Sequence, residues 1–572
     1  MSPSSAAIDP RIEQARAHHR AGRAAEAQAL CEAVLETAPD DLAALNLLGL
    51  LLLQAGQHDR AAPVLRRVVA LDPSAWRAFG LLGVALRRRE PRAALEAYDR
   101  ALALNPRDAA NQNNRGNVLL DLGRHAEAAA AFEAAVALRP DYAVAMINRA
   151  RALVALGRPQ EALEAAEAGR ALGLDDASAR LAWAGSLMGL ERWDEALAAY
   201  DSALERDPRS AAGHHGRGQA LLELDFLKPV APETNRAALA SYDRALELDP
   251  HAAETRWSRA LTRLRLGLLA EGWDDYEERW QAHSFVSRSA GLVLPSLRGR
   301  LAHRAEREHL AGKRVLLVSE QGIGDVLMFA SMIPDLQALA GGVALICETR
   351  LHRLFGNSFP GLELVAPGAP APPHDLVLAI GSLGRLFRLT PADFPGRPYL
   401  SPSEPARRAW AERLGPRRGR LRIGVSWRGG LASTGRSARS LELAQLAPLL
   451  DLPDCEFVSL QYGEVAEELA QVNAGRGIPI VAPAPDTVSD FDDLAAAVLA
   501  MDLVVSVQTA LVHLSGAVGQ RCLVMVPRRP EWRYGLSGEA MPWYGSVRLF
   551  RQGHEGDWNR VIARVADEIR RA

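Results

Sequence analysis

Two short stretches put chemistry-bearing side chains where an apolar run gives way to a helical one. In the first, Gly322 and Gly324 precede Asp325 shortly after the β-type run Val315–Val318. A carboxylate at such a turn either caps the following helix or accepts a proton. The helix field lowers a carboxylate pKa, so a base placed there needs burial to offset it. In the second, Ser506–Ala517 reads SVQTALVHLSGA. Backbone N–H groups opening that helix can meet a phosphate. Thr509 would add a hydroxyl, His513 a donor one turn on, and Gly516 room for close approach. The alternative is a capping threonine and a histidine satisfied in the core. Trp427 and Arg428 end the run RIGVSW, and Gln461 follows Phe457–Leu460. Both places are carboxyl ends of strands, where ligands of open α/β sheets bind. Arg428 can pair with phosphate as a fork, and Gln461 can hydrogen-bond a base or ribose. Simple loop solvation is the alternative for each. Asp490, Asp492 and Asp493 read as a helix cap with first-turn charges rather than a metal site. GIGD is not a dinucleotide fingerprint, and no GxxxxGK[ST] loop occurs.

These residues need strands and helices to hold them. Val315–Val318, a glycine turn, an amphipathic helix over Val326–Leu339 and a strand at Val343–Cys347 make a βαβ unit. A second block has strands at Arg422–Trp427, Phe457–Leu460, Leu503–Ser506 and Leu523–Val526, with helices over Phe491–Ala500 and Ala510–Gly516. Two such blocks imply two parallel, doubly wound sheets facing each other across a cleft, with the break near Ser401–Arg420.

The first half follows a different rule. Prolines at 39, 73, 106 and 140 are separated by 34, 33 and 34 residues, the period of a tetratricopeptide repeat (TPR). Within one period Gly116, Gly123 and Ala128 are expected where two helices cross, Phe132 between neighbouring repeats, and Pro140 after the second helix. Pro208 and Pro250 extend the pattern, the loop Leu227–Asn235 interrupts it, and a last helix pair runs to about Trp280. The expected layout is a TPR superhelix over 1–283, a connector over 284–312, and sheet domains over 313–405 and 420–572. Asn114 and Asn148 occupy equivalent positions on first helices. They resemble the asparagine ladder of the O-GlcNAc transferase superhelix, whose amides hold an acceptor's backbone. Solvated polar positions are the alternative.

Composition adds limits. At 572 residues with 48% hydrophobic and 24% charged content, the chain is an ordinary soluble one with more than one core. A net charge of −2 argues for neither nucleic acid nor an anionic membrane. Four dispersed cysteines, no secretory pattern and no membrane-length apolar run suggest a cytoplasmic protein.

The motifs EQGIGDVLMF with Pro334, SVQTALVHLSGA, PEWRY (Pro530–Tyr534), PWY (Pro542–Tyr544) and RLFRQ (Arg548–Gln552) occur in that order. With the bridging residues Gly272, Trp273, Tyr276, Glu277, Arg279 and Trp280, they resemble the bacterial TPR-containing glycosyltransferases. Those enzymes have a heptosyltransferase-like catalytic half, and flagellin glycosyltransferases share the layout. The resemblance implies a GT-B fold of two Rossmann-like domains and an inverting sugar transfer from a nucleotide-sugar to Ser/Thr of a TPR-bound protein, with flagellin as partner. It implies Asp325 as general base and favours donor binding by Thr509, His513 and Gly516, while Trp427, Arg428 and Gln461 are expected donor contacts from their place at the strand ends. No cofactor is implied beyond the nucleotide-sugar, and no DxD metal motif stands in the expected place. Gln508 departs from the family's usual Asp. With Arg528 and Arg529 after Pro527, it suggests an acidic donor sugar such as a CMP-activated nonulosonic acid, whose carboxylate an amide and a guanidinium would accept. The same departure suits another reading, a TPR scaffold or chaperone whose transferase half does not turn over. A lipopolysaccharide transferase fits less well with the long repeat array.

Overall fold

The computed structural model describes residues 9–225, 232–288, 305–417, 419–429, 439–474, 476–482, 490–553 and 555–571. They form two compact units that divide at Ala220/Leu221, inside the helix Ala211–Asp225.

The first unit is a series of helical hairpins. Representative pairs are Leu42–Gln54 with His58–Leu71, Ala109–Asp121 with His125–Leu138, and Ala143–Ala155 with Pro159–Ala171. Several first helices begin at an aspartate that accepts from the first turn, as Asp41 does from Ala44 N at 2.8 Å. Gly123 serves the turn between paired helices, at φ 71°, rather than the crossing. Gly116 serves the crossing: a Cβ there would stand 2.6 Å from the Phe132 ring. Phe132 belongs to the second helix of the same hairpin. The aromatic therefore fills space inside its own repeat, not only between neighbours.

The second unit opens with the helices Pro232–Leu248, Ala253–Arg265 and Leu269–Tyr276 and a 3-10 turn at Glu277–Gln281. Trp273 and Arg279 are wholly buried and Tyr276 nearly so. The Trp273 indole lies edge-on to Trp532 at 5.5 Å and donates to the Arg388 carbonyl at 2.8 Å. This last helix pair is thus part of the sheet-bearing unit, whereas the repeat period alone would place it with the array up to residue 283. Periodicity marks where helices start and stop, not which core they are buried in. Most of the expected connector, residues 289–304, and most of the 227–235 loop lie outside the described residues.

Two open sheets follow. The first holds β1 (Arg314–Val318), β2 (Gly342–Ile346), β3 (Leu362–Val365) and β4 (Leu376–Ala379), all parallel, in the order β3-β2-β1-β4. The second holds β5 (Leu421–Ser426), β6 (Cys455–Ser459), β7 (Leu503–Val507), β8 (Cys522–Val526), β9 (Ala540–Met541) and β10 (Tyr544–Arg551). Its order is β6-β5-β7-β8-β10-β9, parallel except for the β9–β10 pair. Strand order reverses between β1 and β4 in one sheet and between β5 and β7 in the other. Those reversals open crevices at the carboxyl ends of the strands. The helix expected over 326–339 is instead Ile323–Phe329, a 3-10 turn at Ala330–Met332, and Ile333–Gln337. Pro334 explains the interruption, because it has no N–H to give and its ring crowds the carbonyl four residues back. Starting at Ile323, the first segment carries Asp325 within its first turn.

Candidate active site

Both order reversals carry polar residues. At the first, the loop after β1 supplies Glu320 and Gln321, the helix Ile323–Phe329 supplies Asp325, and the turn after β4 supplies Gly381. Glu320 is wholly buried; it accepts from Gly381 N and from Arg279 Nη2, each at 3.1 Å. Gln321 donates to the Tyr276 hydroxyl at 2.6 Å. Arg279 also donates to Glu277 and Ser382. Burial raises the Glu320 pKa, with Arg279 opposing. This network clamps the glycine turn in place. Removing Arg279 would leave the buried Glu320 without a charged partner, which costs about 3–5 kcal/mol.

At the second reversal, the loop after β5 carries Trp427–Gly429 and the loop after β7 carries Gln508 and Thr509. The Gly429 backbone lies so close to Gln508 that a Cβ there would stand 2.7 Å from its carbonyl oxygen. The two reversals meet across the gap between the sheets. A Cβ on Gly324 would stand 3.2 Å from His513 Cδ2 and 3.4 Å from Ala510 Cα, so the first turns of the two helices touch.

Asp325 lies at that meeting, with 18% of its side chain open to solvent. Its carboxylate is not the helix cap. Gly322 stands at the N-cap with no side-chain bond, and Asp325 Oδ1 accepts from the Arg533 guanidinium. The expected lowering of its pKa is reversed, because burial raises it more than Arg533 lowers it. Arg533 continues to Glu531 at 3.8 Å, and Glu531 to Arg439 at 3.0 Å. His513 is buried, 3.1 Å from the Tyr544 hydroxyl through Nδ1, and burial with the nearby Arg533 holds its pKa well below the usual value. It is neutral at pH 7.

The remaining expected donor contacts divide. Thr509 caps its own helix through Leu511 N and bonds Ser506. Gly516 gives close approach to the Tyr544 ring rather than to a ligand, since a Cβ would fall 2.2 Å from Tyr544 Cγ. The Trp427 indole is wholly buried and donates to Glu468, so its side chain is not open to a donor. Gln461 accepts from Ser426, Trp427 N and Arg428 N and donates to two carbonyls. It shapes the loop after β5 instead of offering its amide outward. Arg428 pairs with Glu468 at 3.0 Å and Arg529 with Glu223 at 3.0 Å; Arg528 is exposed. Gln508 is the exception. It is buried, and neither amide atom finds a hydrogen-bond partner among the described residues. In the first unit, buried Asn148 donates to Asn113 at 2.9 Å and accepts from Arg151 at 3.2 Å, so its amide bridges repeats internally. Asn114 accepts weakly from Asn113 at 3.4 Å. Asp490 caps its helix through Asp492 N.

Arg533, Glu531, Glu320 and Arg279 were not singled out as chemistry, although all four lie in the motifs EQGIGD and PEWRY and the bridging segment. Glu320 had a usable signal: it follows β1 as Gln461 follows β6. Arg533 had none locally, because its partner is 208 residues away.

Models of the tetratricopeptide repeat match residues 12–75, 50–90, 84–143 and 181–225, and a second such model matches 119–184. Protein FlbA of Caulobacter vibrioides is 31% identical over 394 residues, 65% of this chain and 63% of FlbA. The type IV pilus assembly protein PilF of Pseudomonas aeruginosa is 39% identical over 82 residues, 14% of this chain and 32% of PilF. The chain thus spans less than two thirds of the length of either relative. Among solved structures, P. aeruginosa PilF aligns at 25% identity over 38% of this chain and 96% of its own, TM-score 0.31. A MamA protein aligns at 25% identity over 28% and 89%, TM-score 0.27. The first part of this chain is an array of tetratricopeptide repeats.

Proposed function

We propose that the second unit is a GT-B glycosyltransferase, and that the chain moves a sugar from a nucleotide-sugar to Ser/Thr of a protein bound by its repeats. The observation that carries this reading is the apposition at Asp325. A carboxylate with raised proton affinity stands at one strand-order reversal, against the helix that starts at the other. Proton acceptance from a hydroxyl needs such a carboxylate, and ligands of open α/β sheets gather at such reversals. In the reaction the acceptor hydroxyl oxygen attacks the anomeric carbon and its proton passes to Asp325. The bond to the nucleotide phosphate breaks, and its electron pair stays on the phosphate oxygen. Repeat arrays bind extended peptides and helices, which suits a protein acceptor. Flagellin as acceptor rests on the family resemblance of the motifs. A donor sugar of the nonulosonic type is supported by Gln508, whose buried, unpartnered amide can serve a carboxylate or hydroxyl. The test is the intact mass of a flagellin co-expressed with this chain and a nonulosonate pathway. An added sugar mass is expected, and an unmodified acceptor rejects the reading.

One observation favours the other reading, a TPR scaffold with a sheet domain that does not turn over. The two facing helices touch at Gly324, and Asp325 is held by Arg533. Consumption of a nucleotide-sugar by purified protein separates the two.

A further inference from the structure

Arg533 has more hydrogen-bonding capacity than its partners use. It gives one nitrogen to Asp325 and stands 3.8 Å from Glu531, while its Nε is buried with no acceptor among the described residues. It sits on the Trp532–Tyr534 turn, with its guanidinium 5.5 Å from the Trp532 ring centre. The nearby His513 is neutral, so it offers no competing positive charge there. A guanidinium is the side chain best shaped to take two oxygens of one phosphate, and a buried one with an unused donor gains from a further acceptor. Asp325 is also the proposed base, and Arg533 opposes the rise in its proton affinity that burial produces. One exchange resolves both facts.

We propose that Arg533 takes the leaving phosphate of the donor, and that donor binding trades its bond to Asp325 for one to phosphate, which frees the base. The ordering follows from charge. Before donor arrives the guanidinium neutralises Asp325. With the phosphate in place it neutralises the phosphate, and Asp325 Oδ1 is released from the arginine as the acceptor hydroxyl comes up. When the sugar–phosphate bond breaks, the new charge on the phosphate oxygen forms beside the arginine, where it is stabilised most. Proton uptake by Asp325 and charge release at phosphate are then coupled through one side chain. The proposal rests on the nucleotide-sugar reading above.

A double-mutant cycle on nucleotide affinity tests it, by calorimetry of the full chain with CMP and with UDP. Arg533→Gln is expected to weaken the nucleotide that binds by about tenfold or more, and Arg533→Lys to restore part of the loss. Asp325→Asn removes the competitor for the arginine and is expected to tighten binding by about two- to tenfold. In the Arg533→Gln background the same Asp325→Asn change is expected to do nearly nothing. With donor and acceptor, Arg533→Lys should lower kcat more than it raises KM. Melting curves accompany each variant; if Arg533→Gln does not fold, Asp325→Asn compared in the wild-type and Arg533→Lys backgrounds carries the cycle. Unchanged affinity in Arg533→Gln, or equal tightening by Asp325→Asn with and without the arginine, overturns the exchange while leaving the transferase reading standing. Failure of the wild-type chain to bind either nucleotide, or ADP or GDP, overturns that reading together with it.

Discussion

Asp325 is held between burial, which favours its protonated form, and Arg533, which favours the carboxylate. Asp325→Asn keeps the size and removes proton acceptance, so turnover should fall by about 10²–10⁴ if this group is the base. The change also deprives Arg533 of a charged partner, leaving Glu531, so a loss of about 1–3 kcal/mol in stability is expected in a denaturant melt. Retention of wild-type turnover would reduce Asp325 to a structural partner of Arg533. The pH profile should agree: with the Asp325 pKa raised, the acid limb of kcat/KM should lie above the ordinary carboxylate range near 4. His513 gives a second pH signature. Its folded pKa is depressed below the unfolded value of 6.5, so the native state resists protonating it. The stability from keeping it neutral is fully present above pH 6.5 and is lost as pH falls below that value. His513→Gln should therefore flatten the loss of melting temperature between about pH 6.5 and 5 relative to wild type. An unchanged slope would mean that His513 titrates freely.

Elements were legible to different degrees. The repeat helices follow from a 34-residue period and the strands β1, β2, β5, β6, β7 and β8 from short apolar runs. β3 and β4 were not, being four residues each, and β10 appeared only as a motif. Of the site, Asp325 and Gln508 were visible because a turn or a strand end marks them locally. Arg533 and Arg279 were not, because their roles come from partners 208 and 41 residues away. The roles of Gly516 and Trp427 were misjudged for the same reason: a glycine's open side and a tryptophan's burial depend on a neighbour brought in by the fold. Gly516→Ala tests the packing of the Ala510–Ala517 helix on β10. The new methyl would overlap the Tyr544 ring, so a loss of about 1–3 kcal/mol or more is expected in a denaturant melt. Wild-type stability would mean that the helix and β10 pack loosely enough to admit the methyl.

At the scale of the whole chain, the repeat array and the sheet-bearing unit each have their own core, and the second core includes the helices Ala253–Arg265 and Leu269–Tyr276. A fragment beginning at residue 221 should therefore melt cooperatively, whereas one beginning at 284 lacks Trp273, Tyr276 and Arg279 and should bind hydrophobic dyes or aggregate. Equal cooperativity of the two fragments would remove the last helix pair from that core. Among the described residues no helix is long and apolar enough to cross a membrane. The central claim, that this chain transfers sugar with Asp325 as base, is met most directly by one measurement: the intact mass of flagellin co-expressed with a nonulosonate pathway and either wild-type chain or Asp325→Asn. Added sugar masses are expected with the wild type and an unmodified flagellin with the variant at equal expression. Unmodified flagellin in both, or equal modification in both, would contradict it.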